Sequence, residues 1–235
     1  MEKLEKFYKV VNVILIVLML SVEGELRHWL EETGLKEKEW LLFVVLVLIL
    51  VVVFKILEWL IEVLVEKNPV LRKWILGNEY LEGVWCDRTT IDNNYLFAVL
   101  TISFSDGMYF VNGAQYYPDG QEHHSWSTIA SKFDNSTMRL LYRSIYFHEG
   151  DKKDEYMGYS SFTFEKMNLN KFPISYTGKY KDFGADNIER PYKGYKIVKQ
   201  ELLEDLHVPE KQRHALQEIF KLYFGDKHQK HNAQS

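Results

Sequence analysis

"LEGVWCDRTT", Leu81–Thr90, is where the chain changes character. Before it, apolar residues come in long unbroken blocks. From Leu81 onward they alternate with polar ones, the period of a half-buried strand. The stretch holds the Gly83-Val84-Trp85 step and the single cysteine, Cys86. Turn signals then recur at even spacing. "IDNN" ends at Asn94, "SDG" at Gly107, "PDG" at Gly120 and "FDNS" at Ser136. "HEGDKKD" ends at Asp154, "NLNKFP" at Pro173 and "DFGADNIERP" at Pro191. Seven turns separate eight strands, which implies a sandwich or an up-and-down barrel. Eight is also the strand number that closes around one small ligand, and closure removes exposed sheet edges.

Upstream, "WLLFVVLVLILVVVF", Trp40–Phe54, carries no charge. A membrane-spanning helix needs about 20 mostly apolar residues. With Lys55 snorkelling at its end, a span over 38–57 is expected. "FYKVVNVILIVLMLSV", Phe7–Val22, is the expected first arm of a two-helix hairpin, because a second apolar run follows and no small-x-small cleavage site intervenes. Asn12 in that arm either contacts a neighbouring helix or lies near the interface. Lys3, Lys6 and Lys9 precede the first arm, and Lys55, Lys67, Arg72 and Lys73 follow the second. The connecting loop has Arg27, Lys36 and Lys38 amid six acidic residues. That bias puts both termini and the β-domain on the cytoplasmic side. The expected organisation is a transmembrane region over 1–66, a juxtamembrane helix over 67–80, a barrel over 81–199, a C-terminal helix over 200–225 and a loose tail over 226–235. Leu216, Ile219, Phe220 and Tyr223 share one face of that last helix, which is expected to plug or flank the barrel.

The 235 residues carry a formal net charge of -4, so nothing draws the whole chain to DNA or RNA. One cysteine permits no internal disulfide. No Gly-rich phosphate loop and no nucleophile elbow occur, and Cys86 stands in no thiol motif. His123 and His124 are adjacent, so on a regular strand they would point to opposite faces and could not chelate together. The expectation is a binding protein, not an enzyme, with no cofactor and no metal.

Alternation assigns inward faces. Trp85, Asp87 and Thr89 share a side, as do Tyr156, Gly158, Ser160, Phe162 and Phe164. Ile174, Tyr176, Gly178 and Tyr180 form a third row, and Tyr195 with Ile197 a fourth. The fourth and fifth strands mix polar and apolar residues on both parities. Inward glycine leaves room, and inward tyrosine offers both a ring and a hydroxyl. Such an interior suits a ligand with flat rings and polar edges, its bases stacking and its phosphates gripped by arginine. The candidate ligand residues are Arg88, Arg143, Tyr156, Ser160, Tyr176, Tyr180 and Tyr195, with Arg139 and Arg190 as further candidate forks.

Two apolar helices followed by a Tyr-rich eight-stranded domain opening with "LEGVW" resemble the SMODS-associated two-transmembrane β-strand-rich effectors of bacterial CBASS anti-phage defence. The Gly83-Val84-Trp85 step is similar to the Gly-x-Trp of lipocalins, where the Trp closes the barrel floor against a late Arg; here the last strand ends in Lys199. The resemblance implies a lipocalin-like barrel that binds a cyclic dinucleotide made by a partner nucleotidyltransferase. It also implies that protomers associate into a homo-oligomer and that their helices disrupt the inner membrane, an abortive infection. The alternatives from the residues are a membrane-anchored, lipocalin-like carrier of a lipid or apolar molecule, and a scaffold without a ligand.

Overall fold

Two long helices and a closed sheet account for most of the chain. The computed structural model describes residues 2–32, 39–91, 94–147, 153–165, 172–183 and 188–225. The chain divides into Met1–Leu76 and Gly77–Ser235. The first unit contains α1 (Glu2–Glu32), α2 (Glu39–Lys67) and α3 (Pro69–Leu76). Both long helices run well past the apolar arms expected over 7–22 and 38–57. Asn68 starts α3: its Oδ1 accepts from the amides of Val70 and Leu71 at 3.0 and 3.1 Å. Arg72 is buried because its guanidinium donates to the Val65 and Glu66 carbonyls left open at the end of α2.

Among the described residues no helix is long and apolar enough to cross a membrane, so the expected spanning hairpin is not established. Five side chains inside the apolar run of α2, at positions 41–43, 46 and 50, lie outside that description, as do residues 33–38. The expected tail over 226–235 also falls there.

The second unit is a closed antiparallel up-and-down barrel of eight strands. They are β1 (Gly83–Ile91), β2 (Asn94–Ser105), β3 (Met108–Tyr116), β4 (Glu122–Asp134), β5 (Thr137–Phe147), β6 (Lys153–Phe164), β7 (Ser175–Phe183) and β8 (Arg190–Lys196). β1 closes on β8 through Trp85↔Lys196 to Arg88↔Lys193. Two short helices follow, α4 (Gln200–Asp205) and α5 (Pro209–Phe224), in place of the single helix expected over 200–225.

α5 flanks the barrel. Leu216, Ile219 and Phe224 join Cys86, Phe97, Tyr116 and Ile197 in one apolar cluster outside the sheet. Arg213 fixes the helix to the β3–β4 turn, donating to the Asp119 carbonyl at 3.0 Å and its carboxylate at 2.9 Å. This cover explains a misread parity. Tyr195 and Ile197 do not face inward: Tyr195 stacks on Tyr223 of α5 with centroids 6.2 Å apart. A strand covered on both faces is apolar on both parities, so alternation says nothing about which side is inner.

Candidate ligand-binding site

One end of the barrel is shut by rings. Trp85 lies 5.3 Å from Phe164 and 5.5 Å from Tyr176, centroid to centroid. Phe133 meets Phe164 at 6.3 Å and Tyr109 at 5.8 Å. The polar ends of these rings are satisfied: Trp85 Nε1 donates to the Leu81 carbonyl at 2.9 Å and Tyr109 Oη to the Glu79 carbonyl at 2.7 Å. Lys196 completes the floor. Its ammonium sits 5.3 Å from the Trp85 ring and 5.6 Å from Tyr80, and donates to the Glu82 carbonyl at 2.6 Å. The floor cation is therefore Lys196, three residues before the Lys199 at which the last strand was expected to end. Gly83 is needed beneath it: its φ is +131°, and a Cβ there would lie 2.9 Å from Lys196 Cε.

The inward glycines do not leave room. Gly113 pairs across the sheet with Trp126, Gly158 with Tyr142, Gly178 with Tyr192 and Gly194 with Tyr176. Each ring lies over its glycine, so that a Cβ on Gly194 would meet Tyr176 Cζ at 2.2 Å. The space that glycine opens is taken by a tyrosine or tryptophan from the next strand.

Above the floor a partly enclosed cavity remains. Its empty space is about 500 Å³ with the open side included, and its enclosed part takes only a few waters as it stands. Asp87, Gln115, His124, Trp126, Tyr142, Ser160, Phe162, Tyr176, Tyr180 and Tyr192 are among its walls. Tyr176 Oη donates to Asp87 Oδ2 at 2.8 Å, and Tyr142 Oη to Asp182 Oδ1 at 2.6 Å. Ser160 Oγ and Tyr192 Oη are hydrogen-bonded at 2.5 Å, and either can donate. Burial pushes the Asp87 carboxyl up to about 7, against the pull of the Tyr176 hydrogen bond. Burial, with His123 beside it, pushes His124 down to about 3, so its ring is neutral. Burial raises Tyr180 to about 12 and lifts Tyr176 and Tyr192 well above the ordinary phenol range. Two buried polar atoms have no partner among the described residues, Gln115 Oε1 and Ser144 Oγ.

Of the residues chosen from the sequence, Ser160, Tyr176 and Tyr180 line this cavity. Tyr156 shares their inward parity and is half-buried near the rim. Three do not belong to the interior. Arg88 lies outside, its guanidinium 5.1 Å from the Tyr95 ring and its Nη1 donating to the Phe224 carbonyl at 3.4 Å, where it caps α5. Arg143 is half-exposed on the outer face and forks onto Glu155 at 2.6 Å. Tyr195 stacks under α5. Arg139 is exposed, and Arg190 is half-buried opposite Tyr180. Among the described residues no Lys or Arg lines the cavity.

Asp87 had been read as inward but not as part of the site. Gln115, His124, Trp126, Tyr142 and Tyr192 were missed, and only the cross-strand register could have found them. His123 and His124 also depart from expectation. The pairing steps from Gln115↔His124 to Tyr116↔Glu122, so His123 is an extra residue on β4. The two rings consequently meet, Nδ1 to Nδ1, at 2.8 Å. Among the described residues no group of three or more His, Cys, Asp or Glu is placed to hold a metal ion.

No family model, no curated protein and no solved structure matches the chain.

Proposed function

We propose that this chain is a membrane-tethered receptor whose barrel binds a cyclic dinucleotide without chemically changing it, and that it serves as an effector in bacterial defence against phage. The observation that carries the receptor reading is the unfinished half of the barrel: a cavity ringed by aromatic faces, with Gln115 Oε1 buried and unpartnered at its wall. A buried acceptor without a partner costs about 1–3 kcal/mol, a debt that a bound donor cancels. Stacked rings and hydroxyls suit a nucleobase.

Membrane tethering draws on the surface of the two long helices. Val13, Leu20, Leu48 and Ile49 are each more than half exposed, in company with many other apolar residues of α1 and α2. So large an apolar surface requires lipid or a partner to cover it. In this reading the barrel and both termini are cytoplasmic, and a partner nucleotidyltransferase supplies the ligand. Barrels confined to one plane have a raised local concentration, so a modest preference of ligand for the assembled state drives association and disturbs the inner membrane.

The test is calorimetry on the full chain in detergent against a panel of cyclic di- and trinucleotides. Saturable heat with at least one member is expected. No heat and no thermal shift with any member defeats the reading, and a lipid copurifying inside the barrel would favour the carrier instead.

A further inference from the structure

The cavity's chemistry narrows what enters it. We infer that it admits a planar ring edged with N–H donors, neutral or cationic, and excludes phosphate, which stays outside the barrel. As applied to a dinucleotide this rests on the reading above: one base enters, and the linkages remain at the mouth.

Three observations carry it. Among the described residues the only ionisable carboxyl on the wall is that of Asp87, whose Oδ2 is held by Tyr176 while Oδ1 has no partner. Gln115 presents a second open acceptor, Oε1, from a side chain 4% exposed. Among the described residues the wall carries no Lys or Arg to neutralise an anion, and His124 is neutral. A phosphate deep in the cavity would lose its hydration against an acidic wall, and the nearest cation, Arg190 opposite Tyr180, lies outside the lining. An amidine-like edge would instead meet a carboxylate in the two-point geometry that arginine uses. The groups facing Asp87 are Cys86 beside it on β1, Tyr176 and Tyr180 on β7, and Tyr192 on β8, all neutral around pH 7, with the charged Asp182 and Arg190 acting on the same Tyr180 from farther off.

The experiment uses the full chain in detergent with three one-ring probes: benzamidine, benzamide and phenyl phosphate. Benzamidine is expected to raise the melting temperature saturably, benzamide more weakly, and phenyl phosphate not at all. Asp87→Asn should weaken benzamidine at least tenfold. Should that variant fail to fold, the unaltered chain decides: Asp87 titrates at about 7, so affinity should fall about tenfold from pH 8 to pH 6 as the carboxylate is protonated, while benzamidine keeps its charge. Phenyl phosphate binding as well as benzamidine, a pH-independent affinity, or no probe binding would overturn the inference. Benzamidine binding without any cyclic dinucleotide binding leaves this inference standing and removes the proposed function. A dinucleotide that binds equally well to Asp87→Asn and is not displaced by benzamidine does the opposite.

Discussion

Trp85, Phe133, Phe164 and Tyr109 at the floor, and Trp126, Tyr142, Tyr180 and Tyr192 around the cavity, are similar side chains put to different use. At the floor each ring meets another ring edge-on, and each polar tip is answered by a backbone carbonyl or by Lys196. Nothing is left for a ligand to do there. Around the cavity Trp126, Tyr142 and Tyr192 lie over glycines, the Tyr142 and Tyr176 hydroxyls reach carboxylates, and Gln115 Oε1 stays open. The contrast teaches that aromatic content alone does not distinguish a closed core from a receptive one. What separates them is whether every polar atom has found its partner within the fold.

The contrast can be broken most severely at the floor. Trp85→Ala removes the ring on which Phe164, Tyr176 and Lys196 converge and should cost about 3–5 kcal/mol, read as a large drop in the denaturation midpoint. A variant as stable as the parent would mean that the floor is not what closes the barrel.

Next comes a pair of opposed pH effects within the cavity. Asp87 has a folded pKa above its ordinary value of 3.8, so stability present below pH 3.8 is lost as pH rises toward about 7. His124 has a folded pKa below its ordinary 6.5, so the folded state loses stability as pH falls from 6.5 toward about 3. Between pH 4 and 6.5 the two slopes oppose, each near 1.4 kcal/mol per pH unit at most. The parent should therefore be nearly level across that window in denaturant melts. Asp87→Asn should make stability rise with pH, and His124→Gln should make it fall. Two variants with the same slope as the parent would place both titrations elsewhere.

A smaller effect follows from the glycine-backed rings. Gly194→Ala drives a Cβ to 2.2 Å from the Tyr176 ring, which is fully buried. Overpacking of this kind costs about 1–3 kcal/mol. It should also shift the tyrosine that holds Asp87, so probe binding should weaken along with stability. The least effect is expected at Arg143→Ala. Its bond to Glu155 is exposed, and exposed pairs contribute about 0–1 kcal/mol. Ligand binding should be unchanged, and a loss of binding would bring the outer face of β5 and β6 into the site.

The number of strands, their order and the place where the barrel begins were legible because turn residues and period-two alternation are local. The inward rows of β6 and β7 were readable for the same reason: one face is wet. β8 was not, because α5 covers its outer face and makes Tyr195 and Ile197 apolar for a reason that lies 28 residues or fewer further along the chain yet across space. Arg88 and Arg143 look like phosphate forks in a list of residues. Only the fold shows that one caps a helix and the other answers a surface glutamate.

Local chemistry, then, was enough to specify eight strands, two long helices and an inward Trp85, since each depends on neighbours a few residues away. Which cation would meet that Trp, which glycine would lie under which ring, and which buried oxygen would be left open were settled only when distant strands came into register. Those outcomes depend on closure, and closure is a property of all eight strands together.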